Sequence, residues 1–152
     1  VFIPEEQVLS ESAGAFCNKI RPTFIYYQVP LGAGVIAAAA EGIEKVKAKQ
    51  NGCNEHLQVQ ASKLRGNYDR IVGELAQQAS DITLKNIVET RLQTVYDTLE
   101  AVQANMIHNG AAGYVEGSVA SRKLREAYFF ANLTPTVRHL EKLKLNMSKN
   151  EC

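Results

Sequence analysis

LQVQASKLRGNYDRIVGEL at 57–75 and LKNIVETRLQTVYDTLEAVQANM at 84–106 are the stretches that decide the fold of this chain. In both, apolar residues recur at alternating steps of four and three, which places one apolar side chain per turn along one face of an α-helix. Such a face must be buried against other helices. The sequence therefore predicts an all-α protein, an antiparallel bundle of five or six helices joined by short loops. The stripes consist of Leu57, Ala61, Leu64, Tyr68, Ile71 and Leu75, and of Leu84, Val88, Leu92, Val95, Leu99, Val102 and Met106.

The two stripes do not run on into one another. The step from Ala79 to Leu84 breaks the alternation, and Ser80-Asp81 can cap a new helix at that point. We therefore expect a hairpin of two helices, the second running to Ile107 and closed by Asn109-Gly110. The alternative is a single continuous helix about 80 Å long, which would make the molecule elongated or an intertwined dimer.

Two prolines divide the N-terminal part of the chain. Pro4 followed by acidic residues predicts the start of a first helix, and Arg21-Pro22 predicts its end. Segment 23–30 is aromatic and β-branched, but it has no partner strand, so we expect an extended connector whose aromatic side chains cap the bundle. The apolar face of the first helix would carry Val8, Leu9, Ala13, Phe16 and Ile20.

A helix rich in Ala and Gly is expected from Leu31 to about Gln50. Small residues at Gly34, Ala38 and Gly42 would let another helix approach closely. The segment 32–37, GAGVIA, also matches the dinucleotide-binding pattern G-x-G-x-x-A, which needs a preceding strand in a parallel sheet. Because the chain after Cys53 is helical throughout, we interpret the glycines as helix-packing residues and predict no cofactor.

The C-terminal third predicts two more helices. Gly110 to Gly117 forms a loop, and a helix from about Ser118 reaches Phe130. Thr134-Pro135 resembles an N-cap followed by Pro at the first helical position, which opens the last helix. Its apolar face carries Val137, Leu140, Leu143 and Met147.

Length and composition indicate a single globular domain over 1–152. The chain has 45% hydrophobic and 22% charged residues and a net charge of +1, so overall charge provides no attraction to nucleic acid or anionic membranes. The longest uncharged run, 23–40, contains Gln28, Pro30 and two glycines, and we predict no transmembrane segment.

Three features favour an extracellular location. The chain begins with Val1, as after removal of a leader. Asn132 and Asn146 fit the glycosylation acceptor pattern, although Pro135 makes the first a poor substrate. The three cysteines allow one disulfide, for which we favour Cys17–Cys53 over Cys53–Cys152. The spare thiol, Cys152 in the favoured pairing, could then link two chains.

Neither metal chemistry nor catalysis has a clear sequence signal. His56 and His108 would meet at one end of the predicted hairpin near Glu55, but no ligand pair at helical spacing supports a metal site. The chain contains no nucleophile elbow, zinc-protease motif or P-loop. We therefore predict a non-enzymatic protein, with an enzyme of unidentified type as the third hypothesis.

Two aromatic clusters are the best candidates for a binding surface. Neighbouring residues on a helix point about 100° apart, so consecutive aromatic side chains cannot all face the core. Some must line a pocket mouth or a protein interface, although a second small core is the alternative. The clusters are Phe24, Tyr26 and Tyr27, and Tyr128, Phe129 and Phe130.

The resulting hypothesis is a secreted binding protein that contacts another macromolecule, either as a monomer or as a homodimer. The second hypothesis is a carrier of an apolar small molecule such as a fatty acid, gated by Phe24, Tyr27 and Phe130. Basic residues are mostly matched by nearby acids and indicate a solvated face, so an anionic partner is a minor alternative and sequence-specific nucleic-acid binding is not expected. They form three groups: Lys45, Lys47 and Lys49; Arg122, Lys123 and Arg125; and Arg138, Lys142 and Lys144.

Overall fold

The computed structural model describes residues 4, 6, 8, 12–49 and 55–149, and this part of the chain forms helices and turns with no strand. Six long helices and the single turn α5 pack together, so the predicted all-α bundle is confirmed. The elements are α1 (Ala13–Tyr26), α2 (Val29–Lys49), α3 (Glu55–Gln78), α4 (Leu84–Asn109), α5 (Ala111–Tyr114), α6 (Val119–Asn132) and α7 (Val137–Lys149).

Helix α4 lies at the centre of the bundle and contacts every other described helix, while α2 packs against α1, α3, α4 and α6. The largest apolar cluster lies between α2, α3 and α4, with Leu140 of α7 and Ile25 of α1 completing it. Full burial of an aliphatic side chain of this size contributes about 1.5–3 kcal/mol, so this cluster is the main source of stability. Its fully buried large members include Ile36, Ile43, Leu57, Leu64, Ile71, Ile87 and Val88.

The α3–α4 hairpin is confirmed, and the alternative of one continuous helix is wrong. The chain leaves the helix after Gln78 and re-enters it at Leu84. The cap of α4 is Thr83, whose Oγ1 accepts a hydrogen bond from the Asn86 N–H, and not Ser80-Asp81 as predicted. Gly110 ends α4 with a φ of 56°, a left-handed backbone that favours glycine.

The first helix exists, but its predicted bounds are wrong, and so is the predicted extended connector. Of the described N-terminal residues, Pro4 and Val8 are not helical and Glu6 is in a 3₁₀ conformation, while Leu9 lies outside the described residues. The first α-helix begins at Ala13 with Ser12 as its cap. Pro22 lies inside α1, and 23–26 are helical and not extended. Pro22 is tolerated because the carbonyl that would accept its missing N–H belongs to Asn18, which is exposed to water.

Segment 32–37 lies wholly within α2, which agrees with its interpretation as part of a helix, and Gly32 is a packing residue as interpreted. The contact positions differ in part from those predicted. A Cβ on Gly32 would come within 2.5 Å of the Phe130 ring, and one on Gly42 within 2.4 Å of Asn105 Oδ1. Gly34, predicted as a contact, is exposed and faces open space.

The last two helices start near the predicted positions. Ser118 caps α6 by accepting from the Ser121 N–H. Helix α7 begins at Val137, later than the predicted Thr134-Pro135 start. Thr134 stays outside the helix, where its carbonyl accepts a hydrogen bond of 2.8 Å from Gln28 Nε2.

Candidate functional site: an exposed apolar stripe and groove

Helix α1 exposes its apolar residues to solvent. Residues 13–20 are all exposed, and Ile25 is the only buried residue of the helix. Tyr27 keeps a helical backbone (φ −68°, ψ −12°), so one face continues from α1 towards α2. Steps of four, four, three and four along this face define what we call the α1 stripe, whose members are 37–71% exposed. The α1 stripe consists of Phe16, Ile20, Phe24, Tyr27 and Leu31.

A shallow groove of about 190 Å³ begins where the α1 stripe ends. Leu31 and Val35 of α2 form one wall, and Glu126 and Phe129 of α6 form the other, with Phe130 at its base. We call this the aromatic groove. It joins the C-terminal aromatic cluster to the stripe that carries Phe24 and Tyr27, so residues about 100 positions apart in sequence share one apolar surface.

The six predicted aromatic residues have different surroundings. Tyr26 is partly buried and donates a hydrogen bond to the Leu75 carbonyl at 3.2 Å. Phe130 is buried against Gly32 and Thr94. As predicted, consecutive aromatic residues do not all face the core. The exposed members are Phe24, Tyr27, Tyr128 and Phe129.

The three residues expected to gate a carrier cavity do not come together. Phe130 is fixed in the interior, where the Arg91 guanidinium lies 3.7 Å from its ring centroid. Phe24 and Tyr27 lie on the outer surface of the α1 stripe. The structure therefore gives the three side chains separate environments.

Arg91 is a buried cation that sequence reasoning missed. Its side chain is fully buried, Nη2 donates to the Phe130 carbonyl at 2.7 Å, and Nε donates to Gln28 Oε1 at 3.3 Å. Burial lowers its pKa to about 10, so it stays protonated at neutral pH. Within the described residues it has no carboxylate partner, and its Nη1 has no acceptor.

A sequence signal for these buried polar residues was present. Starting from Leu84 and Val88, the alternation of three and four continues through Arg91, Thr98 and Asn105, and all three are buried. The hydroxyl of Thr98 donates back to the Thr94 carbonyl at 2.6 Å, so it needs no partner outside its own helix. A search for apolar residues alone misses these polar positions, although they have the same helical spacing as the buried apolar residues.

A polar network also joins α3 to α4. Arg70 pairs with Glu74 at 2.6 Å and with Asp97, and Glu74 accepts from the Thr90 hydroxyl at 3.0 Å. Gln78 donates to the same hydroxyl at 3.0 Å. Because one guanidinium bridges both carboxylates, the network suits a structural link between helices better than acid–base chemistry.

His56 and His108 face each other with ring centroids 5.7 Å apart, at the predicted end of the hairpin. Burial, followed by the proximity of His56, lowers the pKa of His108. Among the described residues, no group of three His, Cys, Asp or Glu side chains could hold a metal ion.

The predicted disulfide and glycosylation sites remain predictions. Cys17 is exposed on α1, whereas Cys53 and Cys152 lie outside the described residues. Asn132 is exposed at the end of α6, where its Nδ2 donates to the Tyr128 carbonyl, and Asn146 is exposed on α7.

One segment has the length and composition of a membrane-crossing helix. Within the described residues it spans 13–49, with a mean hydropathy of 1.3 in its most apolar window, and half of that window is buried inside the bundle. A core helix of a soluble protein and a signal sequence have the same properties, so the finding is weak evidence for a membrane span.

Comparisons with protein-family models, curated proteins and solved structures give no match for this chain.

Proposed function

We propose that this protein is a secreted, non-enzymatic binding protein that contacts another macromolecule, in the first place another protein, through the α1 stripe and the aromatic groove. A second copy of this chain is the alternative occupant of the same surface. The observation that carries the proposal is the exposure of five large apolar residues along one helical face. Continuous exposed apolar patches mark interaction sites, whereas single exposed apolar residues are common.

The energetics of α1 also support a partner. Its first two turns bury no residue, and an isolated helix of this length is marginal in water. Contact along the stripe would bury Phe16, Ile20 and Phe24 and stabilise these turns. Steps of four and three are the anchor spacing by which a helix lies in an apolar groove or against another helix. Within α1 the face from Phe16 to Phe24 is about 12 Å long at 1.5 Å per residue.

Site-specific photocrosslinking tests this proposal. Benzoylphenylalanine replaces Phe24 in one preparation and Tyr114, an exposed aromatic residue beyond the other end of α6, in the control. After irradiation in an extract of the natural source, we expect a discrete adduct, with a partner or a second copy, from position 24 and none from position 114. An additional Ile20→Glu substitution should abolish the adduct, because a carboxylate in the stripe resists desolvation.

Two results would contradict the proposal. The first is an equal yield of adducts at both positions, which would indicate nonspecific capture. The second is a monomer without adducts. Native mass spectrometry of the natural protein distinguishes the carrier hypothesis from the proposed interaction. A monomer that holds a few hundred daltons of solvent-extractable ligand would favour an apolar carrier.

A further inference from the structure

Two basic runs that are far apart in the sequence form the walls of one cleft. Lys45 and Lys49 extend from the C-terminal half of α2, and Arg122 and Lys123 extend from the first turns of α6. The cleft between them has a volume of about 450 Å³, which is within the range of small-molecule sites. Its floor is formed by α4. We call it the basic cleft.

The floor of the basic cleft contains a largely buried side-chain amide whose NH₂ group makes no hydrogen bond within the described residues. Asn105 is 1% exposed and lines the cleft with Gly42 and Asn109. Its Oδ1 accepts from Asn109 Nδ2 at 2.9 Å, but its own Nδ2 has no acceptor among the described residues. Because Asn105 Nδ2 is not sealed off as Arg91 Nη1 is, it is free to donate a hydrogen bond to an acceptor that a ligand brings into the cleft.

The start of α6 adds two more donors. Val119 and Ala120 line the cleft as the first two residues of this helix, whose first N–H groups have no intrahelical acceptor. The Ser121 N–H is taken by the Ser118 hydroxyl, and the Arg122 N–H by the Ser118 carbonyl. The positive end of the helix dipole therefore faces the same space as the basic side chains.

The basic residues of the cleft are only half neutralised. Lys45 pairs with Glu41 at 2.6 Å, whereas Arg122 and Lys123 share the single carboxylate of Glu126. Lys49 has no ion-pair partner among the described residues. Four cations thus face two carboxylates, which leaves an excess of two positive charges.

We propose that the basic cleft binds the phosphate group of a soluble phosphate monoester. A phosphate monoester carries a charge of about −1.5 to −2 at neutral pH and three acceptor oxygens, which match the excess charge and the unpaired Asn105 amide. The cleft is much larger than a phosphate ion, so the remaining space accommodates the organic part of the ligand. This site is independent of the α1 stripe.

The test is an NMR titration of the full chain with inorganic phosphate, glucose 6-phosphate and glucose. We expect saturable shifts of the Asn105 side-chain amide and of the Val119 and Ala120 N–H groups with both phosphates, and none with glucose. The affinity should fall as salt concentration increases.

Three variants identify the binding groups. Arg122→Gln should weaken phosphate binding by about tenfold, because a charge-assisted hydrogen bond is lost. Asn105→Asp keeps the acceptor for Asn109 but replaces the free donor by a carboxylate, and it should abolish binding. Arg125→Gln is the matched control: Arg125 is exposed on the same helix and bonds to Ser121 outside the cleft, so the affinity should change less than about twofold.

Unchanged thermal melting of Arg122→Gln and Arg125→Gln would show that their effects are not caused by unfolding. Equal weakening in these two variants would overturn the proposal, because binding would then reflect net charge alone. The absence of shifts with both phosphates would also overturn it. Binding only to phosphatidylcholine vesicles that contain phosphatidic acid would overturn the assignment to a soluble monoester.

Discussion

At the scale of single residues, the imidazole of His108 makes stability depend on pH. Because burial and the neighbouring imidazole lower the pKa of His108, the unfolded chain binds this proton more readily than the folded chain does. The stabilising contribution is therefore present at neutral pH and is lost as the pH falls below about 6.5, the ordinary pKa of histidine.

We expect His108→Gln to reduce the loss of thermal stability between about pH 7.5 and pH 5, measured as the change in Tm. His139→Gln provides the control, because His139 is the third histidine and lies exposed on α7. If both substitutions flattened the pH dependence equally, the histidine pair would not be its source.

At the scale of secondary-structure elements, two glycines two residues apart on α2, and therefore on opposite faces of the helix, have opposite roles. Gly32→Ala should destabilise the protein by about 1–3 kcal/mol, because its methyl group would overlap the Phe130 ring and Thr94 Cγ2. Gly34→Ala meets open space and should stabilise it by about 0.5–1 kcal/mol through helix propensity. Urea unfolding of both variants checks the difference in sign, and destabilisation by Gly34→Ala would contradict this description of the α2 surface.

Helices α3 and α4, each with one buried and one solvated face, were predictable from the sequence, whereas the bounds of α1 were not. The α3 and α4 stripes can be recognised in the sequence because each helix has one buried face and one solvated face, which gives its apolar residues a helical spacing. In α1 an apolar face does not mark a buried face, because the apolar residues of this helix are exposed. Its one buried residue, Ile25, lies in a segment whose composition is typical of a strand. Pro22 also suggests a helix end, although an exposed carbonyl makes it tolerable inside the helix.

At the scale of the whole molecule, Arg91 connects parts of the chain that are distant in sequence. It binds Gln28 in the turn between α1 and α2 and the Phe130 carbonyl on α6, and Gln28 in turn holds the Thr134 carbonyl before α7. One side chain of α4 therefore ties both terminal regions of the described chain to the centre.

Arg91→Ala should lower the free energy of unfolding by about 3–5 kcal/mol, because it leaves a cavity and buried acceptors without donors. Arg65→Ala is the control: Arg65 also makes two hydrogen bonds, to Glu44, but it is exposed, so its loss should change the free energy of unfolding far less than the loss of Arg91. Chemical denaturation measures both values. Equal losses would mean that burial does not distinguish the two arginines.

The candidate sites were only partly predictable from sequence. The aromatic clusters were recognisable by composition, but their junction through Leu31 and Phe129 depends on the packing of α6 against α2. The same packing brings Lys45 and Lys49 opposite Arg122 and Lys123. Sequence interpretation matched these basic residues with nearby acids and could not detect that two cations share Glu126.

One face of α2 runs from Leu31 through Val35 and Gly42 to Lys49, so the aromatic groove and the basic cleft lie in succession along the same helix pair. Glu126 borders the groove and pairs with the two α6 cations, which marks the boundary between the two. The α2–α6 seam therefore has a polarity. An elongated molecule with one apolar and one anionic end could lie along it in one direction only, because the reverse orientation would set its charge among Leu31 and Phe129.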